Sequence, residues 1–355
     1  MLLKATPINL EGVAAVISNK IVPVEEYCAG LASPKKLRKI IAGTGFESLS
    51  IAENDVCCSD MCFQAAEHLF NEGGFDRDSI GALIFVSQSP DYRNPATAYI
   101  LQKRLNLGSD LIAFDIGLGC SGFVYGLYVA SSMLNNLGDR KVMLFCGDVG
   151  NWRHKKPTNL SSAVLFGDVG ACAIVSRKQS DEEILFNIHS YGDRWHYLFS
   201  EDGGTRLIKQ KALDSFDFEG AADGTSSHMD GMKVMEFTLF ESADNIKELI
   251  VASGLDKNDI GAYLFHQPQK LLIDDMAERL GLDSEKVIAN AQHIGNGSSA
   301  SIPLLLTEIG SAWSERPNKK VLMSGFGVGL SVASVIMDLD NTVCLETKHY
   351  ERSDV

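Results

Sequence analysis

Cys120 stands in the run Gly117-Leu-Gly119-Cys120-Ser121-Gly122, after the apolar stretch Leu111 to Asp115 and before a second stretch that reaches Asn136 and stops at Gly138. That order predicts a strand, a tight turn and a helix. A thiol at such a turn meets unpaired N–H groups and the positive end of the helix dipole, which favour a thiolate and so lower its pKa. The flanking glycines let backbone approach a ligand closely. The same pattern also fits a buried, inert thiol, and locally the two readings stand side by side. His266 follows the apolar run ending in Phe265, a placement open to a satisfied core histidine or to acid–base work. Asn296 lies between Gly295 and Gly297, where an asparagine is either a turn residue or a presented amide. Gly325-Phe-Gly327-Val328-Gly329 is a further glycine turn, able to offer backbone N–H groups to an oxyanion.

The chain repeats itself, and the repeat relates these residues. Asp76 to Phe85 recurs as Asp256 to Phe265, 180 positions on. Ile116-Gly-Leu-Gly-Cys120-Ser recurs as Ile294-Gly-Asn-Gly-Ser298-Ser, 178 on, and Lys141-Val recurs as Lys320-Val, 179 on. Three matches in one order at a near-constant offset indicate two copies of one unit. Cys120 then corresponds to Ser298, and a pseudo-two-fold axis would bring the Cys120 and Asn296 turns face to face.

Each copy reads as alternating helices and strands. Helices are predicted at Val56 to Asn71 and Ala243 to Ser253, strands at Gly81 to Ser87 and Ala262 to Phe265, and long helices from Ser121 and near Ser299. Such alternation implies mostly parallel sheets covered on both faces. The expected architecture is α/β, with duplicated βα halves forming a five-layer αβαβα body. The expected division is an N-terminal half at 1–180 with the cysteine, a connecting segment at 181–230 and a C-terminal half at 231–345 with the histidine and asparagine. A polar tail, 346–355, is expected to lack order. A strand near Ile184 to Ile188 is the one element read in the connection.

Composition removes several classes of function. With 46 Asp and Glu against 32 Lys and Arg, the net charge is −14, and no basic stripe for nucleic acid is present. No apolar run reaches the roughly 18 residues of a membrane span, and Met1 to Leu10 has no leader-like apolar core, so a soluble cytoplasmic protein is expected. Cys57, Cys58 and Cys62 cluster without zinc-ligand spacing; the simplest reading is small side chains on the Val56–Asn71 helix, with no metal.

Asp115 to Tyr125 around Cys120, Phe166-Gly-Asp168-Val-Gly170-Ala, Phe265-His266-Gln267, Gly295-Asn296-Gly-Ser-Ser-Ala-Ser-Ile-Pro303 and the late glycine turn together resemble the β-ketoacyl-acyl carrier protein synthase III family. The resemblance spans roughly Ala42 to Met337. It implies a thiolase fold, a homodimer and a decarboxylating Claisen condensation. Cys120 would carry an acyl group from a primer thioester, while His266 and Asn296 hold the thioester oxygen of malonyl-acyl carrier protein. Gly327, Val328, Gly329 and Gln267 would line the oxyanion and substrate side. No cofactor is implied beyond the phosphopantetheine arm of the substrates, whether on CoA or on acyl carrier protein.

Some positions depart from that family. Phe46-Glu47-Ser48 follows Thr44-Gly45 where a basic cluster is usual, and the preceding aromatic that stacks on adenine is missing. Leu160 and its neighbours replace an expected Arg, and His266-Gln-Pro268-Gln-Lys270-Leu replaces His-Gln-Ala-Asn-x-Arg. These losses fall on CoA and carrier contacts, so a specialised lipid or polyketide-like pathway stands beside fatty-acid initiation. Lys270, Arg206, Lys209 and Lys211 are the expected cations for carrier-protein docking, or else ordinary solvated charge. Two other readings share the fold: an acyltransferase to an alcohol or amine, in which Asn296 would be idle, and a non-catalytic partner subunit, which would not need Cys120.

Overall fold

The computed structural model describes residues 1–150, 160–180, 182–200, 227–310, 312–316 and 318–352. In chain order the strands of the two large sheets are, first, β1 (Leu2–Ala5), β2 (Ile8–Ile17), β3 (Ile80–Val86), β4 (Ile112–Ile116), β5 (Lys141–Asp148) and β6 (Val169–Arg177). Then come β7 (Ile184–Ser190), β8 (Ala262–Phe265), β9 (Val287–Ile288), β10 (Lys320–Gly327), β11 (Ser331–Asp338), β12 (Val343–Cys344) and β13 (Lys348–His349). The helices that position the site are α1 (Pro34–Thr44), α2 (Cys58–Asn71), α3 (Thr97–Arg104), α4 (Gly122–Leu134), α5 (Ala243–Ser253), α6 (Lys270–Leu280) and α7 (Ser301–Ile309).

One sheet runs β12-β2-β6-β5-β3-β4, with β13 also on β2; the other runs β1-β7-β11-β10-β8-β9. The repeat is visible in the pairing. β3 lies parallel to β4 and β5, as β8 lies parallel to β9 and β10. The antiparallel pair β5–β6 has its counterpart in β10–β11. Every residue of β3 is buried, as expected for a strand covered on both faces.

The buried side chains sort into layers. Met61, Ala65 and Leu69 of α2 and Leu101 of α3 cover one face of the first sheet, against Phe85 and Phe145. Between the sheets, Phe123 and Leu127 of α4 and Leu304 and Leu305 of α7 pack on Ile84 and Leu144 from one side and Phe186, Leu264 and Val335 from the other. Ile246, Leu249, Ile273 and Met276 of α5 and α6 cover the far face through Tyr263, Phe265 and Leu322. Helix, sheet, helix, sheet, helix is the five-layer body expected from the duplication.

The chain ends do not respect the expected division. β1 pairs with β7, and β7 pairs with β11, so the first strand and the strand of the connecting segment both belong to the second sheet. The tail likewise returns: β12 and β13 add to the open edge of β2, Tyr350 N–H donates to Ile17 O at 2.7 Å, and Arg352 pairs with Asp55. An unpaired row of backbone groups along β2 is enough to order residues whose side chains are polar. Cys58 and Cys62 are buried on α2, with sulfurs 3.8 Å apart, but Cys57 is exposed at the N-cap. No helix among the described residues is long and apolar enough to cross a membrane.

Candidate active site

Cys120 occupies the turn between β4 and α4. Gly122 N–H closes the turn on Gly119 O at 2.7 Å, and α4 begins at Gly122. The strand β10 passes directly beneath. A Cβ built on Gly325 would stand 2.8 Å from Cys120 O, and one on Gly327 would stand 2.7 Å from Cys120 Cβ and 2.9 Å from Sγ. Gly327 also has φ +151, so glycine is required there twice over. Cys120 is half-buried, and the surrounding protein strips its sulfur of water. That desolvation pushes the thiol up to about 11; the N–H groups of Val328 and of Cys120 itself, together with the Ser298 hydroxyl, pull it back only in part. The expected lowering is therefore not met at this turn, because loss of solvation outweighs the nearby donors.

Asn296 is brought in by backbone. Its N–H donates to Leu165 O at 2.8 Å, and its carbonyl accepts from Gly167 N–H at 3.1 Å. The two turns meet so tightly that a Cβ on Gly167 would fall 1.8 Å from Ile294 O. Asp168 pins the same turn, its carboxylate accepting from Ala52 N–H at 2.7 Å and Gly150 N–H at 3.0 Å. Asn296 Oδ1 accepts from Ser298 N–H at 2.9 Å. That bond fixes the amide orientation and leaves Nδ2, without a hydrogen bond among the described residues, as a donor for a ligand.

His266 ends β8, where its N–H donates to Ser324 O at 2.8 Å. The ring is buried, packed edge-on to Phe326 at 5.7 Å, with Nδ1 3.1 Å from Ser301 Oγ. Burial lowers its pKa to about 3, against a pull upward from the Ser298 backbone. The ring is neutral across the physiological range. The Ser298 turn, with φ +51 at Ser298 itself, touches both Cys120 and His266 and so joins the two halves of the site.

The predicted residues divide in four. Cys120, His266, Asn296, Gly327 and Val328 gather at one place, and Gly329 continues that turn with φ +142. Gln267 is spent on the scaffold: its Nε2 donates to Phe265 O at 2.9 Å and Ile288 O at 3.3 Å, tying the end of β8 to β9. Lys270 is exposed but already bonded to Asp274 at 2.5 Å, which weakens it as a docking cation. Arg206, Lys209 and Lys211 lie outside the described residues.

Three contributors escaped the sequence reading. Ser298 and Ser301 sit in a serine-rich run whose hydroxyls give no periodic signal. Asp148 is half-buried at the end of β5; its Oδ1 accepts from Ser87 and Ser89 hydroxyls and Gln88 N–H, and the Ser298 hydroxyl also reaches the carboxylate. Burial pushes that carboxyl up. An acid closing an otherwise apolar strand was the available signal. A cavity of about 630 Å³ lined by Met1, Tyr125, Tyr128 and His189 lies elsewhere and does not include Cys120.

A duplicated five-layer fold with Cys, His and Asn at the junction of its halves is that of a thiolase-like condensing enzyme. Two family models match, 3-oxoacyl-[acyl-carrier-protein] synthase III over residues 114–193 and its C-terminal part over residues 250–339. A Campylobacter jejuni protein, provisionally named 3-oxoacyl-[acyl-carrier-protein] synthase 3, is 33% identical over 310 residues, covering 86% of this chain and 84% of its own. A β-ketoacyl-[acyl-carrier-protein] synthase III of Streptococcus pyogenes is 30% identical, covering 84% and 90%. Among solved structures, a 3-oxoacyl-(acyl-carrier protein) synthase from Burkholderia xenovorans superposes with a TM-score of 0.91 at 30% identity, over 98% of this chain and 99% of that one. The chain belongs to the 3-oxoacyl-[acyl-carrier-protein] synthase III family.

Proposed function

We propose that the chain joins a Cys120-bound acyl group to malonyl-acyl carrier protein, with loss of carbon dioxide, to give a 3-oxoacyl thioester. The observation that carries this reading is the free Asn296 Nδ2 donor, held on the same turn system that touches Cys120 and His266. In loading, Cys120 sulfur attacks the primer thioester, its proton passes to the departing thiol, and the oxyanion lies against the Val328 and Cys120 N–H groups. In condensation, the malonyl thioester oxygen lies between Asn296 Nδ2 and His266. In the tautomer in which Ser301 Oγ donates to Nδ1, the ring proton sits on Nε2 and can serve that oxygen. Two neutral donors stabilise the enolate left by decarboxylation, and its carbon attacks the acyl carbonyl as the Cys120 sulfur leaves. The substrates' phosphopantetheine arm supplies the only prosthetic chemistry.

The departures at the CoA contacts favour a primer delivered on carrier protein and a specialised pathway. We read the chain as a homodimer: β4 is an open sheet edge, and Ile112 together with nearby Tyr92 and Tyr99 is exposed. The eight cysteines are free, in keeping with a reducing, cytoplasmic setting.

Intact-protein mass spectrometry with a panel of acyl-CoAs and acyl-carrier proteins tests the reading. Cys120→Ala should take up no acyl mass. Asn296→Ala and His266→Ala should load normally while decarboxylating malonyl-carrier protein about two orders of magnitude more slowly. Loading that survives in Cys120→Ala, or full decarboxylation in both other variants, overturns it.

A further inference from the structure

Helix α1 carries a charge pattern opposite to that of the chain as a whole. Ser33 caps it, its hydroxyl accepting from Lys36 N–H at 3.3 Å, Pro34 opens it, and Gly45 at φ +77 ends it. Leu37 and Thr44 are buried, and Ile40 and Ile41 pack on the same small core. The other face presents Lys35, Lys36, Arg38 and Lys39, all exposed. The helix holds no Asp or Glu, and none of these four cations forms an ion pair among the described residues. Like charges at such spacing repel one another. In a chain of net charge −14, a merely solvated face would be expected to mix both signs.

The C-terminal end of the helix is fixed beside the site, with the four cations in its opening turns. A Cβ on Gly45 would meet Lys270 Cβ at 2.6 Å, at the head of the helix that follows His266. Glu47 N–H donates to Gln292 O at 2.8 Å and Ser48 Oγ to His293 O at 2.9 Å, on the segment leading into Asn296. The adjoining α6 offers no rival basic face. It carries Asp274, Asp275 and Glu278 against Lys270 and Arg279, and Lys270 is held by Asp274.

We propose that the exposed face of α1, formed by Lys35, Lys36, Arg38 and Lys39, is the docking surface for an acidic carrier protein that brings thioesters to Cys120. This deepens the condensing-enzyme reading and rests on it. The geometry suits a protein better than a nucleotide. The four cations spread over about 6 Å of a convex helix, whereas a phosphate selects donors that converge. An acidic helix laid along α1 would meet all four. The local patch also supplies the attraction that a field of −14 would otherwise deny to an acidic partner.

The test compares wild type with the variant Lys35→Glu, Lys36→Glu, Arg38→Glu, Lys39→Glu, and with the control Lys35→Arg, Lys36→Arg, Lys39→Arg. Binding of fluorescent holo-acyl carrier protein is measured by anisotropy at two salt concentrations. Loading of Cys120 is measured separately from acyl-carrier protein, from the matching acyl-CoA and from a short acyl-pantetheine thioester. Charge reversal should weaken carrier binding and carrier-dependent loading at least tenfold and abolish their salt dependence. Loading from acyl-pantetheine should stay at the wild-type level, and the arginine control should behave as wild type. Unchanged carrier binding in the reversed variant overturns the docking surface. A loss confined to acyl-CoA overturns it too, and reassigns the cations to CoA phosphates. Failure of the condensing reading shows differently, as wild-type enzyme that binds carrier protein but loads and condenses nothing.

Discussion

The sulfur of Cys120 and the α-carbon of Gly327 are placed so that no side chain can stand between them: a Cβ on Gly327 would lie 2.9 Å from Sγ. The two residues come from different halves of the duplication, so this contact is where the halves register against one another. The Val328 N–H that reaches Sγ is carried by the same turn.

Gly327→Ala should therefore damage chemistry and fold together. The new methyl must push the Cys120 side chain aside, at a φ that side chains rarely adopt. A destabilisation of about 1–3 kcal/mol is expected, with acyl loading down at least a hundredfold. Thermal melts and single-turnover loading measure the two effects. Near-normal loading would show that the Val328 donor is not aimed by this turn.

Asn296→Asp separates the two ends of the amide. The carboxylate can still accept from Ser298 N–H, so the turn should hold and Cys120 should load as before. The Nδ2 donor is gone and a negative charge faces the enolate. Malonyl decarboxylation should fall by roughly two to three orders of magnitude. A variant that fails to load instead would assign Asn296 a structural role.

Ser301→Ala removes the partner of His266 Nδ1 while leaving the ring. Decarboxylation should drop several-fold with loading untouched, and Ser301→Thr should restore it. Stability should change by only about 1 kcal/mol, the usual effect of one lost hydrogen bond. Equal loss of loading and decarboxylation would place Ser301 in packing alone.

The two titrating groups are shifted in opposite directions, Cys120 up and His266 down. With the Cys120 thiol raised to about 11, its thiolate fraction in the free enzyme is small near neutrality. Iodoacetamide alkylation should climb about tenfold per pH unit from pH 7 to 10, levelling only near 11. A plateau below pH 8 would mean the helix dipole dominates after all. His266 is lowered to about 3, so the folded chain refuses a proton that the unfolded chain accepts below its ordinary pKa of 6.5. Its contribution to stability is thus complete above about pH 6.5 and is lost as pH falls toward 3, at up to about 1.4 kcal/mol per unit. Wild type should lose more melting temperature than His266→Gln across that window.

Much of this was legible because the duplication is. The Lys141 and Lys320 matches mark equivalent strands, and the Cys120–Ser298 correspondence by itself brings the two turns together. Other features depend on neighbours that spacing does not reveal. The four residues of β1 have no pattern that names β7 as their partner. The Cys120 thiol looked acidic from its turn, whereas the enclosing protein decides its pKa. Lys270 looked available until Asp274, one helical turn on, was found to hold it. A run such as Pro34-Lys-Lys-Leu-Arg-Lys ordinarily signals only a solvated helix face. Its meaning comes from where Gly45 sets the helix down.

The exchanged ends have a consequence for the molecule's history and its handling. β1 is sewn into the second sheet and β12 and β13 into the first, so each half is closed by a thread from the far end of the chain. Whatever single unit was once copied, its descendants are no longer separable parts. Cutting the gene between the repeats would leave one product without its β2 partner strands and the other without the strand that covers β7. Neither piece is expected to fold by itself, and the ancestral doubling has become a commitment.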